Sequence, residues 1–426
     1  MNDGTPDSGG ELRSADLLRD YLEGPGLDLE RYDAGNGRGN LVARIEGSDP
    51  SAPSLLLMGH TDVVPANPEG WRHDPFGGEL VDGEIWGRGA VDMLNLTASM
   101  AVAVKHLAAA SFAPRGTLIY LACADEEALG AFGADWMLRN HRDAVWADCV
   151  LTESGGFAMP LPSSSGPKLP VIVGEKGAYW STLRVHGTPG HASMPLRTDN
   201  ALVKAAEVVR RVAEYRPATT LDGVWRAFIE RYDLPPELAA RLGDADGVRA
   251  FCESYEDLGV ARELHAVTHT TFAPTMARGG VKTNVIPDVV ELQVDIRTLP
   301  GVRGPEVGAM LDEALGDLAP SVEVVADSDD PANASPFDTP LWDSLQRASR
   351  ALVPNATLVP LTSTGATDAR FFRALGATAY GAGLFSERIS YAEYGAMFHG
   401  NDERVDLESL RLSSELWRAV ATDLLA

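Results

Sequence analysis

Residues 54–62 read Ser54-Leu55-Leu56-Leu57-Met58-Gly59-His60-Thr61-Asp62. An apolar run this short and continuous predicts a strand buried on both faces, as inside a parallel sheet covered by helices. The pattern returns in GTLIYLACADEE at 116–127 and ADCVLTESGG at 147–156, and LVARIEG, from residue 41, adds a strand before them. An Ala-rich helical stretch over about 91–110 and the helical pattern ALGAFGADWMLRN at 128–140 alternate with these strands. Alternation of this kind implies βαβ units, hence an α/β domain with a mostly parallel sheet and helices on both faces.

Outward from this block the chain changes character. Residues 1–10 are rich in Gly, Asp, Ser and Pro and read as a floppy tail ahead of an amphipathic helix, ELRSADLLRDYL. FAMPLPSSSGPKLP at 157–170 reads as a linker or surface loop. Beyond it, strands near 171–186, 288–297 and 321–326 and helices near 199–214 and 304–318 suggest a smaller α+β unit. Residues 215–265 look like a charged helical insertion within that unit. The expected organisation is a catalytic domain in two parts, 1–175 and 331–426, interrupted by an inserted domain over 176–330.

The chain has 426 residues, 61 acidic against 36 basic, a formal charge of −25. Such a surface repels phosphate backbones and anionic lipid, so no nucleic-acid or membrane partner is expected. Three widely spaced cysteines without a CxxC pair argue against a disulfide framework and fit a reducing compartment. With no apolar signal core and no apolar run of ~20 residues, a soluble cytoplasmic protein is expected.

The chemistry-bearing residues sit at the ends of the buried strands. His60 ends the first, with Asp62 two residues on; Glu126 and Glu127 end the second; Glu153 ends the third. In open α/β sheets ligands collect at the carboxyl ends of strands. Each residue alone has a bland alternative: His60 as a strand-end ion pair, Asp92 as a helix N-cap. Together the set suits Zn²⁺ or Mn²⁺ better than Ca²⁺, and a shared carboxylate suits two ions about 3.5–4 Å apart. A second nitrogen ligand is wanted, and His399 in AMFHGNDERV is the candidate. Of the other histidines, His106, His141, His265 and His269 read as surface or core residues.

Seven blocks, MGHTDVVP, GRGAVDM, ADEEALG, LTESGG, GTPGHASMP, GGVKTNVIP and FHGNDERV, run in order from residue 58 to residue 405. They resemble the signature blocks of the M20 family of zinc-dependent metallopeptidases and amidohydrolases. That family includes aminoacylases, succinyl-diaminopimelate desuccinylase, carnosinase-like dipeptidases and glutamate carboxypeptidase. The resemblance implies a zinc-exopeptidase-like catalytic domain with an inserted ferredoxin-like lid or dimerisation domain, and two Zn²⁺ per subunit, with Mn²⁺ or Co²⁺ as substitutes.

Carried over residue by residue, it implies that His60 and Glu153 hold one zinc, Glu127 and His399 the other, and Asp92 bridges them. Asp62 orients His60, Glu126 is the general base, and His191 reaches the partner subunit's site to stabilise an oxyanion. Asn284, Arg297, Gly365 and Thr367 are implied substrate contacts, with Arg297 suited to clamp a carboxylate and Ala366 standing where many relatives carry a second Gly. A cis Asp92–Met93 peptide and a homodimer are further implications. The expected activity is hydrolysis of the amide of an N-acyl amino acid, with a dipeptidase or carboxypeptidase as the alternative and a catalytically silent metal binder behind both. Glu153 favours deacylation, since several dipeptidase and carboxypeptidase members carry Asp there.

Overall fold

The computed structural model describes residues 1–426 apart from 3, 6 and 7. Its larger sheet has nine strands. Four parallel strands form the centre in the order Leu118–Cys123, Leu55–His60, Cys149–Thr152 and Thr378–Gly381. Antiparallel neighbours flank them, Gly39–Ile45 and Asp28–Asp33 on one side and Lys168–Glu175 on the other. Thr357–Ser363 runs parallel to Lys168–Glu175.

Alternation along the central strands splits the core into two layers. Leu55 and Leu57 pack with the helices Leu94–Ala109, Pro340–Leu352 and Leu407–Leu424. Leu56 and Met58 face the opposite side, against Met137 of Ala134–Asn140 and Phe372 of Ala369–Ala374. Both faces are therefore dry, which is why the strand reads as an unbroken apolar run. All the parallel strands end on one edge, and this edge carries His60, Glu126, Glu127 and Glu153.

The smaller sheet is antiparallel, in the order Thr271–Gly279, Val289–Thr298, Ser181–His186, Val322–Ala326. Val290, Leu292, Val294 and Ile296 alternate inward against the helices Ala201–Glu214 and Gly304–Leu315. The chain order β-α-β-β-α-β and this strand order are those of a ferredoxin-like unit.

Two expectations change. The helices between Gly223 and Thr268 do not pack in the smaller unit. Trp225, Phe228, Val260 and Leu264 share a core with Ile172, Val359 and Leu361 of the large sheet. Their amphipathic period showed that one face is buried, but not against what. Of the amino-terminal stretch, residues 3, 6 and 7 lie outside the described residues, and Asn2 is not loose. Asn2 is 2% exposed, and its N–H donates to the carbonyl of Val63 at 2.9 Å.

Candidate metal centre and cleft

His60 is buried at the end of its strand, with its Nδ1 3.0 Å from the Asp62 carbonyl oxygen and 3.5 Å from Asp62 Oδ1. A ring held this way donates from Nδ1 and leaves the Nε2 lone pair for a ligand. Nε2 lies 3.2 Å from Asp92 Oδ1 and 3.8 Å from Glu153 Oε2. Asp92 Oδ2 in turn is 3.2 Å from Nε2 of His399, which is also 3.2 Å from Glu127 Oε2. Asp92 thus stands between two histidines, one oxygen toward each.

Asp62 does more than face the His60 ring. Its two oxygens accept the backbone N–H groups of Glu126 at 3.2 Å and Glu127 at 3.1 Å, so one carboxylate sets both the strand end and the following turn. The loop carrying Asp92 has its own anchor. Glu403, fully buried and paired with Arg88, accepts the N–H groups of Gly89 at 2.7 Å and Val91 at 3.2 Å. Arg88 also donates to the His399 carbonyl at 3.4 Å. The Asp92–Met93 peptide is cis, and His399 takes a left-handed backbone at φ 54°.

So many acids this close must share protons or cations. Burial, with the Glu153 charge next, pushes the Glu126 carboxyl well above the usual range. Burial also lifts Glu153 to about 8. Hydrogen bonds donated to the carboxylates of Asp92 and Glu127 raise His399 to about 10. Burial works against a charge on His60, yet its bonds to Asp62, Asp92 and Glu153 hold its pKa high.

Two donor sets can each enclose an ion: His60, Asp92 and Glu127, and His60, Glu126 and Glu153. Glu127 Oε1 is buried without a hydrogen-bond partner, a lone pair that a cation would satisfy. The residues present fit two divalent ions.

These side chains floor a cleft of about 630 Å³. Its walls are largely apolar: Phe157, Met159, Ile172, Leu361, Tyr394 and Phe398. Phe157 stacks on Phe385 at 3.7 Å and on Tyr394 at 3.2 Å. Arg262, Glu263 and Ala266, from the helix Leu258–Thr268, close one side.

A model of peptidase family M20/M25/M40 matches residues 56–423. The chain belongs to this family. It is an M20 hydrolase, of peptidase or amidohydrolase type. Human N-fatty-acyl-amino acid synthase/hydrolase PM20D1 is 30% identical over 372 residues, 86% of this chain and 73% of that protein. Succinyl-diaminopimelate desuccinylase of Cereibacter sphaeroides is 26% identical over 430 residues, 99% of this chain and 95% of that one. Among solved structures, the M20 family metallo-carboxypeptidase Sso-CP2 from Sulfolobus solfataricus aligns with TM-score 0.72 at 18% identity, over 97% of this chain and 94% of that chain. The Bacillus subtilis protein YXEP, described as a dinuclear metal binding peptidase, aligns with TM-score 0.60 at 15% identity, over 97% and 92%. These structures share the fold.

The M20 chain brings His60, Asp62, Asp92, Glu126, Glu127, Glu153 and His399 together at one strand edge. The other expected residues are placed differently. Gly365 and Thr367 line the cleft, but Thr367 gives its N–H and hydroxyl to the buried Glu175, at 2.9 and 2.6 Å. Arg297 is forked onto Asp295, two residues away on its own strand, at 2.8 and 3.2 Å. Neither Asn284 nor His191 lines the cleft of its own chain. Asn284 is exposed, and His191, also exposed, holds Ser193 through Nδ1 at 2.7 Å. Asn2 and the roles of Arg88 and Glu403 went unread in the sequence, although Arg88 lies inside GRGAVDM and Glu403 inside FHGNDERV. The Leu258–Thr268 helix falls largely within the helical insertion expected over 215–265, but its place beside the cleft was not read.

Proposed function

We propose that this M20 chain is a di-metal amidohydrolase that cleaves the amide bond of an N-acyl amino acid. The observation that carries the reading is the gathering of His60, Asp92, Glu127, Glu153 and His399 around Glu126, whose carboxyl lines the floor of a largely apolar cleft. His60, Asp92 and Glu153 would hold one cation and Asp92, Glu127 and His399 the other. Bound there, two Zn²⁺ ions (or Mn²⁺ or Co²⁺ in their place) would supply Lewis acidity. Glu126 takes the proton of the attacking water and returns it to the leaving amine. The apolar walls favour an aliphatic or aromatic acyl group, in line with the substrate class named for PM20D1.

A homodimer belongs to the same reading. Thr271–Gly279 is an edge strand with an exposed outer face, and apolar side chains crowd the surface of the smaller unit, Leu196 at 85% and Val281 at 91% exposure. An unpaired edge of this kind is a template for a second copy. His191 and Asn284, exposed in one subunit, would then meet the cleft of the other. The cysteines Cys123, Cys149 and Cys252 are free, which fits the cytoplasm. Among the described residues no helix is long and apolar enough to cross a membrane.

The test is turnover by zinc-loaded protein of N-acetyl, N-succinyl and long-chain acyl amino acids beside dipeptides. Preference for acyl amino acids is expected. Faster turnover of dipeptides makes it a dipeptidase or carboxypeptidase with the same machinery. No turnover of either class with two metals bound overturns the catalytic reading.

A further inference from the structure

Beside the cleft, where residues 215–271 fold back on themselves, lies a second cavity of about 390 Å³. It opens between the helices Ala245–Ser254 and Leu258–Thr268 and shares Arg262 and Ala266 with the cleft wall. Its charged lining is lopsided: Arg216, Arg249 and Arg262 against Glu253, with the imidazoles of His265 and His269 beside them. The chain as a whole carries −25, so the sign of charge is locally reversed.

The three guanidiniums are also underused. Arg216 donates only to the carbonyls of Glu214 at 2.9 Å and Tyr215 at 3.3 Å, and Arg249 to that of Pro217 at 3.2 Å. Among the described residues none of Arg216, Arg249 and Arg262 pairs with a carboxylate. Other arginines nearby in sequence do pair: Arg210 and Arg211 both hold Glu207. His265 and His269 stack at 4.2 Å, nearly parallel, behind the cations. Burial lowers the pKa of His265, and the charges of Lys176, Arg216 and Arg249 lower it further. Cations that outnumber the carboxylates of a concave site focus a positive potential there. Guanidinium forks match carboxylate and phosphate oxygens.

We propose that this cavity is an anion-binding site, taking a carboxylate or phosphate group between Arg216, Arg249 and Arg262. The anion is either free in solution or the far end of an anionic substrate that reaches past Arg262 from the cleft.

Calorimetric titration of the metal-loaded protein with inorganic phosphate, and separately with succinate, tests the site. Saturable binding is expected, weakened about tenfold or more in Arg249→Gln, as for loss of one charge-assisted contact. Arg249→Lys, which keeps the charge without the fork, should fall between and also covers a misfolded Gln variant. Absence of saturable binding, or binding equal in wild type and both variants (as for an anion held at the metals), overturns the proposal. Kinetics separates the two sources. If Arg249→Gln raises KM for an N-succinyl amino acid but not for its N-butanoyl analogue, the anion is the substrate's far end. If both KM values hold while phosphate binding is weakened, the anion is free. The titration stands even if neither substrate turns over, so it can fail or succeed independently of the amidohydrolase reading.

Discussion

Asn2 donates its side-chain amide to Asp62 Oδ2 at 3.0 Å and to Asp125 Oδ1 at the same distance. The second residue of the chain is therefore wedged beneath the carboxylate that holds His60 and the Glu126–Glu127 turn. Arg38, paired with Glu11 at 2.7 Å, donates from behind to the Asn2 side-chain Oδ1 at 3.3 Å.

Asn2→Ala should leave two buried carboxylates short of a donor, an unmet cost of about 1–3 kcal/mol. Support residues behind metal ligands typically change metal affinity 10–100-fold. Chelator competition should show weaker metal binding in Asn2→Ala, and weaker still in Asn2→Asp, which adds a third negative charge to the pair. Unchanged affinity in both would remove Asn2 from the support of the site.

His399 links Asp92 and Glu127 and touches neither Glu153 nor Glu126. His399→Ala should therefore lose about one of two metal equivalents, read by elemental analysis, and lose activity with it. Full metal content together with full activity would sink the ligand assignment.

His191 lines no part of its own cleft. A donor at the oxyanion is typically worth about 10²–10³ in kcat, and a general base about 10²–10⁴. His191→Ala and Glu126→Gln should each cost rate while metal content holds. Mixed under conditions that exchange subunits, the two variants should regain activity, because one site of each mixed dimer keeps both residues. Proven exchange without recovery rejects action across subunits.

His269 is buried, and burial, with the adjoining His265 next, lowers its pKa from 6.5 to about 4. Below pH 6.5 the unfolded chain takes up a proton that the folded chain refuses until about pH 4. Stability therefore falls as pH drops through that window, by at most about 3 kcal/mol from this group. Urea denaturation at pH 7, 5.5 and 4.5 should show a shallower decline in His269→Gln than in wild type. Parallel declines would assign the acid sensitivity to other groups.

How much of this was legible without coordinates follows from range. The unbroken apolar run at 55–58, bounded by Pro53 and Gly59, read as a strand covered on both faces, and parallel strands end on the same edge. So His60, Glu126, Glu127 and Glu153 were bound to gather once those strands paired. Asp92 and His399 lie 307 residues apart, and only the ordered motif blocks joined them.

Tertiary structure alone decided the rest. The helices after Gly223 were visible as helices, yet a periodic apolar face carries no address, and it is Ile172, Val359 and Leu361 that receive it. Charge partners are equally mute in sequence. Arg297 spends its fork on Asp295, Thr367 is held by Glu175, Arg88 finds Glu403, and Asn2 finds Asp62. A local pattern determines which side chains leave water, because burial depends on periodicity. Which polar group meets which depends on distances set only after distant segments have packed, and a linear pattern does not contain them.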